Sequence, residues 1–397
     1  MCYTINTDKF KNLEFVKRRT LMAILRMKLD NILAFKDFEV NFSYPRKLSK
    51  SIILNEHLKD NPSFRYKKLN VFIGSNATGK TSLMKVICLV LNFMVRKEKQ
   101  PLLNLINFKE MSSRIEMDLV DNPTVLNRII IKTENNFLTK DAKVDVSIQS
   151  LTIRPGDSYE TRVKDFISDG DFKDYQEGLR DLHLSTGWNL IMPATEGYFD
   201  RIHLSLDQTA KERQEYLDVL NSVLTTLDPS IEIAKLSRDS TNAIVIQFYD
   251  DPVPVIVQEG NMLSNLPRLS SGTKYGISIA NIMYAIKNHR HQIYLIDEQF
   301  AYVTPDIEAA LLSTMVSLLG PNEQLFCTTH NSNILSLNYP FHAFYFLRKG
   351  GVGKDCRIEI SCASEFENRN NVSPKNLFDN DMFKTSPDVS KIYDIGV

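Results

Sequence analysis

Leu69-Asn70-Val71-Phe72-Ile73-Gly74-Ser75-Asn76-Ala77-Thr78-Gly79-Lys80-Thr81-Ser82 is the stretch that decides the fold. Its first five residues form a short, mostly apolar and β-rich run, the pattern of a buried strand. Gly74 to Thr81 then fit G-x-x-x-x-G-K-[ST], and Thr81 to Met94 has helical character. Strand, glycine loop and helix in immediate succession are the context in which this pattern cradles phosphate. Backbone N–H groups at the helix start point into the loop, and the positive end of the helix dipole favours an anion there. Gly74 and Gly79 permit a tight wrap that side chains would block. Lys80 neutralises charge on the β- and γ-phosphates, and the Thr81 hydroxyl is placed to ligate Mg²⁺. Ser75, Asn76, Ala77, Thr78 and Ser82 complete the expected contact surface for the nucleotide.

Three later segments gain meaning from that loop. Ile293-Tyr-Leu-Ile-Asp297-Glu298 reads as an apolar strand ending in two carboxylates, at the strand end where open α/β sheets bind ligands. Asp297 is expected to hold Mg²⁺ directly or through water, and Glu298 to polarise the attacking water. Leu269-Ser270-Ser271-Gly272-Thr273 precedes a helix; by itself it reads as an ordinary N-cap. Gln324-Leu-Phe-Cys-Thr-Thr-His330-Asn331 is a strand ending in a histidine, which in isolation is a surface or hydrogen-bonded residue.

The rest of the chain frames these segments. Met22 to Tyr44 reads as two short strands, with Phe35, Phe38, Val40 and Phe42 apolar; Pro45 to Lys68 reads as a polar loop or short helix. Residues 113–154 hold three strand-like runs, which suits a small antiparallel lobe. Residues 158–227 are charge-laced with a helical period, and Tyr216, Leu217, Leu220, Val223 and Leu224 mark one apolar face. Strands return from Ile231, followed by helices at 275–286 and 306–319. Lys349 to Val397 reads as a polar, loop-rich tail. The expected domains are 1–157 (first half of an ATPase domain, with the glycine loop and β lobe), 158–230 (helical insertion), 231–348 (second half) and 349–397 (tail).

Bulk properties exclude several classes. Lys plus Arg and Asp plus Glu are 48 each in 397 residues, so no global charge points to nucleic acid or an anionic membrane. The five cysteines are odd in number, irregular in spacing and without a C-x-x-C pair, which argues against a disulfide framework or structural zinc and for a reducing compartment. The longest apolar run, Val86 to Val95, is broken by Asn92 and falls short of the roughly 20 residues of a membrane span. A soluble, cytoplasmic protein without a membrane partner is expected.

The order glycine loop, LSSG, acidic strand, histidine strand resembles that of ABC-type ATPases. MKLDNILAFKDFEVNF ahead of LNVFIGSNATGKTSL is similar to the opening of the head-domain branch that includes RecF, SMC proteins and the OLD-family ATPases. Asn76-Ala77 in the loop and the run DEQFAYVTP look most like the OLD-like ATPases of bacterial defence systems, although Thr304-Pro305 replaces their frequent His-Pro. The resemblance spans roughly residues 22–90 and 230–345. It implies an α/β, P-loop NTPase fold of ABC head-domain type, with an antiparallel β lobe and an inserted helical region. It implies ATP and Mg²⁺ as cofactors, Ser271 and Gly272 as binders of the γ-phosphate held by a second subunit, and His330 as a γ-phosphate contact. Lys80, Glu298 and His330 would carry hydrolysis, with Thr81 and Asp297 as the metal ligands.

Some of the family pattern is missing. No D-loop of the transporter kind follows Glu298, and Gln149 is a weak match to the Q-loop residue. Only 67 residues follow His330, too few for the C-terminal nuclease domain of OLD nucleases, and the Asp379/Asp381 pair does not make such a site by itself. The expected function is therefore a nucleotide-gated ATPase, a dimer or higher oligomer closed by an ATP sandwich. It would act as a sensor or scaffold in anti-phage defence, with a separate toxin or nuclease as effector. The alternative is a DNA-repair ATPase of RecF/SMC type acting directly on nucleic acid, to which Lys17-Arg18-Arg19, Arg46-Lys47 and His289-Arg290-His291 would contribute a basic strip. A transporter subunit fits poorly with the early strands and the long middle region.

Overall fold

The computed structural model describes residues 22–45, 51–135, 142–168, 170–180, 182, 184, 187–192, 209–238, 243–258, 261–264, 268–351, 356–367, 372–386 and 393–396. Cys2, Lys17-Arg18-Arg19 and Arg46-Lys47 lie outside them. The described chain divides into two compact units, one of residues 187–320 and one formed by the segments before and after it.

The segment before it opens with β1 (Ala23–Asp30) and β2 (Phe38–Asn41), antiparallel with Met27 opposite Val40. Phe38 and Val40 are buried and Glu39 and Asn41 exposed, the alternation expected of a strand with one wet face. Pro45 to Lys68 departs from the loop-or-helix expectation: β3 (His57–Leu58) and β4 (Asn61–Arg65) form a small hairpin. Phe64, Tyr66 and Leu58 pack with Leu25, Val120 and Tyr159, so the segment is held by three scattered large side chains that no short period reveals.

β5 (Leu69–Ile73) is wholly buried, and α1 (Lys80–Arg96) starts at the residue after Gly79. A one-turn helix, α2 (Gln100–Leu103), leads to the meander β6 (Ser113–Asn122), β7 (Val125–Asn135) and β8 (Ala142–Thr152). α3 (Tyr159–Arg162), with a Ser158–Thr161 capping box, precedes β9 (Lys173–Asp174) and α4 (Tyr175–Gly178). One antiparallel sheet, ordered β2-β1-β6-β7-β8-β9, takes in both the N-terminal strands and the lobe. Asp118 at its centre is fully buried. Arg128 Nε and Nη2 each donate to it at 2.8 Å and the Tyr159 hydroxyl at 2.7 Å, while Arg26 lies 3.5 Å away.

The next unit begins with β10 (Trp188–Ile191), a strand within the stretch read as helical. Residues 159–178 likewise form single turns instead of a long helix. Ser, Asp and Gly recur there (SDGDF) and favour turns over helix interiors. α5 (Ala210–Leu227) follows as expected, with the five apolar residues of its face buried and a Thr209–Glu212 capping box at its start. β11 (Ile231–Leu236), β12 (Ala243–Phe248), β13 (Asp251–Gln258) and β14 (Asn261–Ser264) make a four-stranded meander. α6 (Ser271–Lys287) crosses α5 where Gly276 has no room for a Cβ beside Leu227 and Leu224. β15 (Ile293–Asp297) runs parallel to β10, and α7 (Pro305–Leu318) closes the unit.

The chain then returns to the first unit. β16 (Gln324–Thr329) pairs parallel with β5, placing Thr329 opposite Ile73. β17 (Phe344–Gly350), which ends just inside the stretch read as a tail, pairs parallel with β5, and β18 (Arg357–Cys362), within that stretch, pairs antiparallel with β17. Two short helices, α8 (Ala363–Phe366) and α9 (Pro374–Asp379), follow. Phe383 stacks on Phe346 at 3.8 Å between ring centres. The side chain of Gln324 bonds the Ile24 backbone through both its oxygen (2.7 Å) and its nitrogen (3.0 Å). It also donates to the Lys67 carbonyl at 2.9 Å, joining the β5 strands to the antiparallel sheet. Within the described residues no helix is long and apolar enough to cross a membrane.

Candidate nucleotide site

The glycine loop is built around two positions where a side chain cannot fit. A Cβ on Gly74 would collide with the backbone carbonyl of Leu347 on β17. Gly79 has φ +97°, and its Cβ would strike Ile358; left-handed backbone favours glycine on steric grounds. Ala77, at φ 61°, is the one non-glycine residue of the loop in that region. The Thr78 hydroxyl is buried and donates to the Ser75 carbonyl at 2.9 Å, bracing the turn.

Lys80 is 3% exposed, and its Nζ donates to the carbonyls of Gly74 (2.9 Å) and Ser75 (3.0 Å). The ammonium is thus held over the loop by two carbonyl oxygens, and a phosphate would add the attraction of an opposite full charge that these acceptors lack. No side chain caps α1, and no acid lies in its first turn. Its leading amides and dipole therefore face the loop with neither a side-chain cap nor an acid of the helix's own first turn on them. Thr81 and Ser82 are half-buried in that first turn.

His330 is exposed directly after β16, one residue beyond Thr329, so strand pairing brings it to the same sheet end as Gly74. Its turn is set by two side-chain acceptors: Thr329 Oγ1 takes the Asn331 amide and Asn331 Oδ1 takes the Asn333 amide, each at 2.9 Å. Gln149 is occupied elsewhere, its amide both donating to and accepting from the Ile167 backbone (3.0 and 2.9 Å).

Asp297, Glu298, Ser271 and Gly272 belong to the other unit. Asp297 ends a fully buried strand and is itself buried. Glu298 is half-buried with φ 46°, a conformation that costs a non-glycine residue roughly 1–2 kcal/mol. Gln299 is buried and donates to the Asp297 carbonyl at 3.3 Å, and the Ala301 amide returns to the Glu298 carbonyl at 3.3 Å. Ser270, not Ser271, is the N-cap of α6: its Oγ accepts the Thr273 amide at 3.0 Å. Ser271 is left exposed in the first turn, which contains no acid. Gly272 lies against the loop that follows Glu298, where an added Cβ would sit 2.9 Å from the Tyr302 carbonyl. The rings of Tyr275 and Tyr302 stack at 4.6 Å with 6° between their planes. Neither tyrosine, nor Leu347 behind the glycine loop, was singled out from the sequence; the small residue at 272 was the one available signal of close approach.

Residues 26–246, more than half of the chain, match the family model described as an AAA domain. The chain belongs to the AAA-domain family. The matched span of this family member takes in the whole glycine loop and ends before Ser271, Asp297 and His330. Its fold is that of a P-loop ATPase, mixed α/β with antiparallel sheets. No curated protein matches the sequence. Among solved structures, the SMC head domain from Thermotoga maritima is similar at TM-score 0.40 and 13% identity, over 85% of this chain and 98% of that one. An SmcHead bound to the C-winged helix domain of ScpA is similar at 0.45 and 11%, over 87% and 99%. An Smc head with an extended coiled coil, bound to the C-terminal domain of ScpA derived from Pyrococcus furiosus, is similar at 0.46 and 10%, over 87% and 98%.

Two other clusters of the sequence lie among the described residues. In the His289-Arg290-His291 cluster, burial, with Arg290's charge adding to it, lowers the His291 pKa to about 4, so this ring is neutral at pH 7. The Arg290 guanidinium sits over the Tyr284 ring at 4.8 Å. Asp379 pairs with Lys375. Asp381 is held below the usual carboxylate range by the Ser386 and Thr385 backbone amides, so both acids of that pair have structural partners. The described cysteines are free, and burial pushes the Cys88 thiol up to about 12.

Proposed function

We propose that the protein binds and hydrolyses ATP as an ABC-type head, two copies enclosing nucleotide between the glycine loop of one and the Ser271–Gly272 turn of the other. The observation that carries this reading is the buried Lys80 ammonium, held on two loop carbonyls at the uncapped start of α1. On binding, Lys80 moves from those carbonyls to β- and γ-phosphate oxygens, and the first amides of α1 complete the cradle. Glu298 accepts a proton from the attacking water, and His330 hydrogen-bonds the γ-phosphate. Ser271 and Gly272, at the acid-free start of α6, face the γ-phosphate held by the second copy.

The resemblance assigns a metal to two oxygen donors, the Thr81 hydroxyl and the Asp297 carboxylate. Among the described residues, no group of three or more His, Cys, Asp or Glu side chains could hold an ion. That set fits Mg²⁺, which takes one or two protein oxygens and fills its octahedron with phosphate and water. Held by Thr81 and Asp297, Mg²⁺ would supply charge neutralisation for the phosphates.

The resemblance of Asn76-Ala77 and DEQFAYVTP to OLD-like ATPases supports a role in bacterial anti-phage defence, as a nucleotide-gated sensor or scaffold whose effector is a separate toxin or nuclease. Free cysteines, three of them buried, support a cytoplasmic setting. Lys80→Ala tests the core of the reading: ATP binding by titration calorimetry and phosphate release should both be lost. Turnover at the wild-type rate in this variant would overturn it.

A further inference from the structure

Tyr302 lies in the run DEQFAYVTP, where the sequence assigns it no role, yet it touches both functional segments of its unit. Its backbone carbonyl rests against Gly272, and its ring lies flat on Tyr275, one helical turn further along α6. Four residues upstream, Glu298 is held in the left-handed region. Between them the chain is short and tied at both ends. Gln299 is fastened to the Asp297 carbonyl, the Ala301 amide to the Glu298 carbonyl and the Val303 amide to the Phe300 carbonyl at 3.2 Å, with Phe300 buried in the middle. A loop so short and so tied transmits a displacement of Tyr302 to Glu298 instead of absorbing it, because packed segments shift between discrete arrangements rather than stretching.

We infer that Tyr302 is a positioning residue that couples the start of α6 to Glu298, so that occupation of the Ser271–Gly272 turn by the second copy's nucleotide sets the general base. The inference rests on the proposed ATPase reading. The stack belongs to this coupling because its two rings come from the two elements that must communicate. Tyr302 is 55% exposed, so the contact adds little to the buried core. Tyr275, by contrast, has its hydroxyl pKa raised by burial and by Tyr302, which marks the pair as a close contact at that helix start.

The test compares wild type, Tyr302→Ala and Tyr302→Phe for Mg²⁺-ATP affinity and steady-state hydrolysis. Tyr302→Ala should bind ATP as wild type, since Lys80 and its loop are untouched. Its kcat should fall roughly ten- to a hundred-fold, up to the loss that a misplacement of about 1 Å produces, with KM unchanged. Tyr302→Phe keeps the flat ring and should restore most of the rate. Wild-type kcat in Tyr302→Ala would overturn the coupling, as would a Tyr302→Phe variant as slow as the alanine. A parallel loss of ATP affinity would also overturn it, because the effect would then be one of general folding. A wild-type protein with no Lys80-dependent hydrolysis would overturn the ATPase reading itself, and the coupling with it.

Discussion

Two residues of the glycine loop show how much chemistry depends on a missing side chain. Gly74 gives way to the Leu347 carbonyl and Gly79 holds φ +97° against Ile358. Gly79→Ala adds left-handed strain of about 1–2 kcal/mol on top of that collision, at the residue from which α1 starts. A lowered melting temperature and a loss of ATP affinity of at least ten-fold are expected; a variant that binds ATP as wild type would show that the loop has an alternative conformation. His291 offers a pH readout. Its folded pKa, about 4, lies below the ordinary 6.5 of a histidine, so the unfolded chain takes up the proton first. Its contribution to stability is complete above about pH 6.5 and is lost as pH falls from there toward 4. Its Nδ1 is buried without a hydrogen-bond partner. His291→Phe should therefore flatten the acid limb of melting temperature against pH over that window, and an unchanged limb would exclude the ring as its source.

At the scale of elements, the antiparallel sheet is organised around one buried charge. Asp118 on β6 receives Arg128 from β7 and Tyr159 from α3, with Arg26 of β1 nearby. Glu116, two residues away, is held below the usual carboxylate range: its burial opposes this, but the Arg114 hydrogen bond and the charges of Arg114, Arg26 and Arg128 outweigh it. Removing one partner of such a group leaves buried charge uncompensated, at about 3–5 kcal/mol. Asp118→Asn should cost an amount of that order in urea unfolding while leaving the glycine loop's residues in place. A change under 1 kcal/mol would mean that the arginines find other partners. The same sheet explains why the N-terminal strands and the lobe belong together: Met27 pairs with Val40 on one side and Met117 on the other.

At the scale of the molecule, the proposed mechanism makes assembly depend on nucleotide. Glu298→Gln should retain ATP, lose hydrolysis and double in mass by light scattering when Mg²⁺-ATP is added. Ser271→Arg places a long cation on an exposed position of the α6 first turn. It should bind ATP as a monomer while failing to assemble or hydrolyse. Hydrolysis at the wild-type rate in that variant would remove the second copy's turn from the mechanism. A constant dimer in both variants would show that other surfaces hold the protein together.

What the sequence determined by itself was local. Gly74 to Ser82, the strand before them and the helix after them were legible because a phosphate loop needs particular residues at fixed spacing in one continuous stretch. The helix at 210–227 was legible because its apolar face repeats with the helical period. Only the tertiary structure decided that residues 344–350 and 357–362 form two strands, the backbone of the first closing over Gly74. The same holds for residues 57–65, whose hairpin is held by side chains that meet distant strands. The Tyr302–Tyr275 stack also belongs to this group, because its rings come from separate elements and neither residue departs from a surface pattern. Contacts between elements distant in the chain are set by packing and leave no period in the sequence that forms them.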